Sequence, residues 1–202
     1  MRQHGDPFKH PRSGCECSRL SSLSQVEFNA MIYSMIHVPY PAPFEMSGKI
    51  FPLLGSYFFD ELIRSIQSSK LNIFVIQYQW RWLQHERNSR VQRLGAEILK
   101  ARARGVSVNI IMNNEAPNRN LSKINRVSGD ELARAGCNVR LLRTPSLLHT
   151  KYWCIDSEIS FIGSHNISTR SLGVNEEFSV KIESKEFAVF GQHYFQTLWN
   201  SR

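Results

Sequence analysis

Residues 149–166 read His149-Thr150-Lys151-Tyr152-Trp153-Cys154-Ile155-Asp156-Ser157-Glu158-Ile159-Ser160-Phe161-Ile162-Gly163-Ser164-His165-Asn166. Reduced to spacing, this is H-x-K, four residues, D, six residues, G-S-x-N. Lys151 to Ile155 is rich in aromatic and β-branched types and is read as a strand. Residues two apart in a strand share a face at roughly 6.6 Å. His149 and Lys151 therefore point the same way, close enough for an imidazole and a cation to meet one anionic group. Asp156 lies seven residues beyond His149 and falls on the opposite face of an unbroken strand. It is read as a structural carboxylate near the strand end, not as a catalytic base. Ile159 to Ile162 is a second short strand. Gly163-Ser164 is expected to make a tight turn and Asn166 to open a helix, where backbone N–H groups favour an anion.

Working outward, the chain divides near residue 50. Residues 1–50 carry prolines at positions 7, 11, 39, 41 and 43 and show weak periodicity, with one short helix expected over Ser24 to Met35. Residues 51–202 alternate in an α/β manner. Helices are expected over Phe58 to Ser68, over Arg90 to Arg104 with Gly105 ending it, and over Lys185 to Trp199. Strands are expected over Leu71 to Tyr78, Val106 to Met112, Val139 to Leu142 and Phe178 to Ile182. Residues 113–127 are polar and read as a loop, after which Ser128 caps a helix ending at Gly136. The motif occurs once, with no internal repeat.

The H-x-K…D…G-S-x-N pattern resembles the HKD motif of the phospholipase D superfamily through His149, Lys151, Asp156, Gly163, Ser164 and Asn166. Asn175-Glu176-Glu177-Phe178 resembles the acidic stretch that follows the motif in the short bacterial phosphodiesterases and endonucleases of one motif per chain. The resemblance covers about residues 51 to 202. It implies an α/β/α sandwich with a mixed central sheet, and a metal-independent phosphodiesterase with no cofactor. His149 is then the nucleophile that forms a phosphohistidine, and Lys151 holds the phosphate oxygens. Asn166 adds an amide contact and Ser164 a hydroxyl near the same phosphate. Glu177 accepts a proton from the other ring nitrogen of His149, with Glu176 as the fallback. His165 fills a variable slot. The reaction needs a second histidine as general acid, and in single-motif relatives a second copy of the chain supplies it across a two-fold axis. A homodimer with a shared site is thus implied.

Composition bounds the substrate. Residues 81–143 hold 13 Lys and Arg against 5 Asp and Glu, a surplus equal to the +8 of the whole chain. A basic surface beside a phosphodiester site favours polyanions, with Arg81 and Arg87 as substrate-binding candidates. Trp80 and Trp82 have two readings, stacking on bases or packing. Nucleic acid is the favoured substrate. A phospholipid substrate, as for a lipid phosphodiesterase or phosphatidyltransferase, and a non-catalytic nucleic-acid-binding scaffold are the alternatives. No apolar run reaches the roughly eighteen residues of a membrane span, and the polar N-terminus lacks the apolar stretch of a secretory signal. Cys15, Cys17, Cys137 and Cys154 are too few and too uneven for a disulfide framework, which suits a cytoplasmic protein. His4, His10, Cys15 and Cys17 do not have a standard zinc spacing.

Overall fold

The computed structural model describes residues 44–82, 86–114, 119–144 and 147–201. The helix expected over Ser24 to Met35 and the His4, His10, Cys15 and Cys17 group lie outside these. The chain divides into two units, Met1–Glu45 and Met46–Arg202. The second opens with a strand, β1 (Lys49–Leu54), that straddles the division expected at residue 50.

The remaining elements are α1 (Tyr57–Ser68), β2 (Asn72–Gln77), α2 (Arg90–Ala103), β3 (Ser107–Asn113), α3 (Arg119–Arg134), β4 (Asn138–Leu142), β5 (Lys151–Ile155), β6 (Ile159–Gly163), β7 (Phe178–Glu183) and α4 (Lys185–Asn200). They build one mixed seven-stranded sheet in the order β1-β7-β6-β5-β2-β3-β4. β2, β3 and β4 are parallel, and the other neighbours are antiparallel. β2 is a central strand, so Ile73 to Ile76 are buried without alternation. The two crossovers β2–α2–β3 and β3–α3–β4 step in one direction, which places both helices on one face. That face packs Phe58, Phe59, Leu62 and Ile66 of α1 and Leu94 and Ile98 of α2 against Ile73, Val75, Val108, Ile110, Trp153 and Phe161. On the other face α4 brings Ala188 and Phe195 against Phe74, Ile76, Ile111, Tyr152 and Cys154. The result is an α/β/α sandwich.

Local chemistry explains the boundaries. Ser89 and Ser184 accept from the backbone N–H of Gln92 and Phe187, each at 3.2 Å, and so cap α2 and α4. Gly105, at φ +91°, releases the chain from α2 into β3. Three expectations fail. α3 starts at Arg119, not after Ser128, and Ser128 is buried in mid-helix. Its inward stripe is Leu121, Asn125, Ser128, Gly129 and Leu132. Two polar residues interrupt the apolar period there, which disguises the helix. Gly163 is no tight turn: it stays in β6 opposite Ser179, and Ser164 N–H still reaches Phe178 O at 3.0 Å. A Cβ at Gly163 would lie 2.4 Å from Ser179 Cα, so close strand approach is what requires glycine. Asn166 opens no helix. Ile167 instead lies beside Trp80 as a parallel bridge, with its N–H on Gln79 O at 3.0 Å and its carbonyl accepting from Arg81 at 2.7 Å.

The Asp156 carboxylate ties β5 to the start of β2. It accepts from the backbone N–H groups of Lys70 and Leu71, both at 2.8 Å, and of Asn72 at 3.0 Å. Asp156 and Ser157 have φ of +54° and +55°, a region that Asp tolerates better than most residues. Asp156→Ala should lower stability by about 2–3 kcal/mol through three abandoned donors. Asp156→Asn, which keeps an acceptor and the turn preference, should cost less. Urea unfolding checks this, and equal midpoints for wild type and the Ala variant would contradict it.

Candidate active site

The antiparallel step from β2 to β5 decides where the chemistry gathers. Gln77, the last residue of β2, pairs with Lys151, the first of β5. β6 runs back to end at Gly163 beside them, and β7 begins with Phe178 next to β6. The ends of β2, β3 and β6 and the starts of β5 and β7 therefore share one edge of the sheet, where open α/β sheets commonly bind ligands. His149, Lys151, Ser164, Asn166 and Glu177 all belong to this edge.

Lys151 is 7% exposed. Its ammonium donates to His149 O at 2.7 Å and lies 3.2 Å from both His149 Nδ1 and Nε2. Equal distances to the two nitrogens leave neither one singled out as the partner. Tyr78 closes the other side, its ring centroid 4.5 Å from the His149 ring and 5.0 Å from Lys151 Nζ. Among the described residues no carboxylate comes within ion-pair distance of Lys151. Partial desolvation of the exposed ring, then the Lys151 charge, holds the His149 imidazole below its ordinary pKa. Burial also lowers that of Lys151, with the Glu177 charge opposing.

Glu177 is engaged elsewhere than sequence reasoning placed it. Its Oε2 accepts from the Ser164 hydroxyl, and its Oε1 from Ser171 Oγ at 2.7 Å and Asn175 Nδ2 at 3.2 Å. Burial pushes its carboxyl up, but these three hydrogen bonds together outweigh that and hold the pKa down. No hydrogen bond joins Glu177 to His149. Ser164 Oγ also accepts from Phe178 N–H at 3.1 Å. Asn166 takes Ser171 Oγ on its backbone N–H at 2.9 Å and leaves its side-chain oxygen buried with no partner among the described residues. Glu176 is exposed.

His165 is a packed histidine. Its ring stacks on Phe58 at 4.2 Å, with Nε2 2.9 Å from Gly55 O and Nδ1 2.6 Å from Ser179 Oγ. A carbonyl only accepts, so Nε2 carries the proton and Nδ1 takes the Ser179 hydroxyl. The base-stacking reading of the tryptophans fails. Trp80 is fully buried against Trp153, and Trp82 packs on Gly95 and donates to Gln92 Oε1 at 2.7 Å. Arg81 pairs with Glu86 at 3.2 Å, and Arg87 is exposed on the turn before α2.

Several positioning residues escaped the sequence reading. Gln77 Nε2 donates to His165 O at 3.0 Å, between Ser164 and Asn166, while its Oε1 is buried without a partner among the described residues. Asn125 Nδ2 donates to Tyr78 O and Asn113 O, both at 2.8 Å, and its Oδ1 accepts from Trp80 N–H at 2.9 Å. Ser128 Oγ donates to Trp80 O at 2.6 Å and accepts from Trp82 N–H at 2.9 Å. The one sequence signal was that Asn125 and Ser128 stand at helical spacing between Leu121 and Leu132.

With this geometry in hand, known proteins give the family. Residues 62–199 match the family described as "Cardiolipin synthase, PLD-like domain". The chain belongs to the phospholipase D superfamily. It is 28% identical over 134 aligned residues to the 5'-3' exonuclease PLD3 of Xenopus tropicalis, covering 61% of this chain and 26% of that protein. It is 36% identical over 91 residues to cardiolipin synthase A of Pseudomonas fluorescens, covering 45% and 19%. The chain thus spans about a quarter or less of these curated relatives. Among solved structures, Nuc of Salmonella typhimurium, a phospholipase D family member, superposes with a TM-score of 0.63 at 20% identity, over 76% of this chain and 95% of that one. NucT of Helicobacter pylori gives 0.61 at 22%, over 77% and 98%. These two establish the shared fold.

The site electrostatics can be tested without any substrate. The His149 ring should titrate below the ordinary value of about 6.5. Lys151→Met removes a positive neighbour, so the imidazolium becomes easier to form and the His149 pKa should rise. NMR titration of labelled histidines, with His149→Ala for assignment, reads both. A downward shift in Lys151→Met would contradict the charge argument.

Proposed function

We propose that this chain is a metal-independent phosphodiesterase that cleaves nucleic acid through a phosphohistidine, acting as a homodimer in a reducing, cytoplasmic compartment. The observation that carries the reading is the buried Lys151 ammonium held 3.2 Å from both nitrogens of an exposed His149, with no carboxylate in ion-pair reach among the described residues. A cation so placed draws a phosphate oxygen to it, and the phosphorus arrives beside the ring. The depressed His149 pKa supports neutral imidazole, the nucleophilic form, at neutral pH. The ring lone pair forms the N–P bond as the P–O bond to the leaving group breaks, and a second histidine protonates the departing oxygen. That histidine, now neutral, takes a proton from water, whose oxygen displaces the ring from phosphorus. Lys151 meets the charge that gathers on the phosphoryl oxygens. The Asn166 carboxamide, uncommitted at its oxygen, turns to contact the same group, and Glu177 fixes the Ser164 hydroxyl next to it.

Cys137 and Cys154 are buried free thiols, which supports the reducing compartment. The +8 surplus of residues 81–143 favours nucleic acid. A lipid reading has its own observation. Ile50, Leu54, Ile162 and Phe178 are exposed on the α4 face of the sheet, and Leu54 pairs with Phe178 next to Ser164. A phospholipid would lay its chains on such a surface.

Purified protein in EDTA, offered single-stranded DNA, duplex DNA, RNA and labelled phospholipid, should cleave the single strands. His149→Ala should abolish turnover, a fall of about 10⁴-fold or more. Activity lost on chelation and restored by magnesium would refute the mechanism, and cleavage of phospholipid alone would favour the lipid reading.

The dimer has a separate check. Mixed dimers of wild type and His149→Ala hold one histidine, so excess mutant should suppress activity beyond dilution after subunit exchange. Activity proportional to the wild-type fraction, or a fully active monomer by light scattering, would refute the shared site.

A further inference from the structure

Tyr78 stands outside the H-x-K…G-S-x-N pattern, yet it touches both members of the His149–Lys151 pair. Its ring centroid is 4.5 Å from the imidazole at an interplanar angle of 57°, and 5.0 Å from Lys151 Nζ. The second distance lies within the roughly 6 Å reach of cation–π attraction. The ring is not placed there by chance packing. Asn125 of α3 donates to Tyr78 O at 2.8 Å and accepts from Trp80 N–H at 2.9 Å, so it grips the backbone on both sides of Gln79. Tyr78 is half-buried, and its hydroxyl has no hydrogen-bond partner among the described residues.

We propose that Tyr78 is a positioning residue for the phosphodiesterase reaction: its ring face holds the His149 imidazole and the Lys151 ammonium in the spacing that admits a phosphate. This deepens the reading above and rests on it. The ring supplies what a carboxylate would supply at a cost. It attracts the ammonium through its quadrupole without neutralising it, which leaves the full positive charge for an incoming anion. It also shields one side of the imidazole from water, which disfavours the imidazolium. Among the described residues, the groups facing His149 are Lys151 on β5 and Tyr78 after β2, and Glu177 before β7 acts through its charge on Lys151. Only the aromatic face is required, since the hydroxyl bonds nothing described.

The test compares Tyr78→Phe with Tyr78→Leu and Tyr78→Met in the full chain. One readout is NMR titration of His149. The other is kcat and KM on a chromogenic phosphodiester, bis(4-nitrophenyl) phosphate. Phe should leave both within about twofold of wild type, because it keeps the ring face. Leu and Met should each lower kcat about 10-fold or more with KM changed less than threefold. They should also raise the His149 pKa and move the acid limb of the rate profile to higher pH, because water reaches the ring. Two aliphatic variants guard against one that misfolds, and thermal melting identifies it. Unchanged kcat and titration in a folded aliphatic variant would overturn the proposal. So would a Phe variant as impaired as Leu, which would assign the role to the hydroxyl. Wild-type protein that cleaves no phosphodiester, while the aliphatic variants still move the His149 titration, would overturn the phosphodiesterase reading and keep Tyr78 as the support of the pair.

Discussion

A buried ammonium without an ion-pair partner is the constraint on which the site depends. Lys151 is 7% exposed, and among the described residues it meets a carbonyl, an imidazole and the face of a phenol ring, but no carboxylate. Burying a charge is costly unless it is paired and hydrogen-bonded. The fold meets part of that cost with His149 O at 2.7 Å and the Tyr78 face, and leaves the rest unmet. An anion that completes the shell is favoured by the amount left over. Glu177 is near enough for its charge to be felt by Lys151, but three hydrogen bonds hold its oxygens elsewhere. A fourth partner in Lys151 would satisfy the cation and remove the reason for a phosphate to enter.

The sheet topology makes this arrangement possible. β5 is antiparallel to β2, so the start of one strand lies beside the end of the other. One short sequence segment can then meet residues about seventy positions earlier at a single edge. Asp156 secures the far end of the same pair of strands through three backbone donors near Leu71. The H-x-K end is thus left for chemistry while the D end holds register. One motif supplies both functions because its two ends lie at opposite edges of the sheet.

What the sequence made legible follows from how locally each feature is encoded. β2, β3, β5 and α2 carry strong apolar periods, and their boundaries fall within about two residues of those expected. The family was legible in the H-x-K…D…G-S-x-N spacing, and the comparisons support it. α3 was illegible before Ser128 because Asn125 and Ser128 occupy inward positions where apolar residues would announce a helix. Gly163 was misread as a turn because glycine also serves close strand approach, and the Ser179 backbone that demands it is sixteen residues away. The bonds of Glu177 were illegible because Ser164, Ser171 and Asn175 compete with His149 for the same carboxylate, and spacing alone cannot rank these donors.

The residues whose roles emerge only in the structure share a physical character. Gln77, Asn125, Ser128 and His165 are buried polar groups, and each spends hydrogen bonds on backbone at the site edge rather than on a periodic core. Apolar packing is tolerant of exchange among side chains of similar volume. A hydrogen bond fixes a donor and an acceptor to within a few tenths of an ångström. The sandwich beneath the site can therefore be built from interchangeable apolar residues, whereas the loops that carry Tyr78 and Asn166 are fixed by directional bonds. The chain uses apolar packing where it needs stability and polar packing where it needs position. The second kind leaves little trace in a hydrophobicity pattern, which is why the machinery around His149 emerges only in three dimensions.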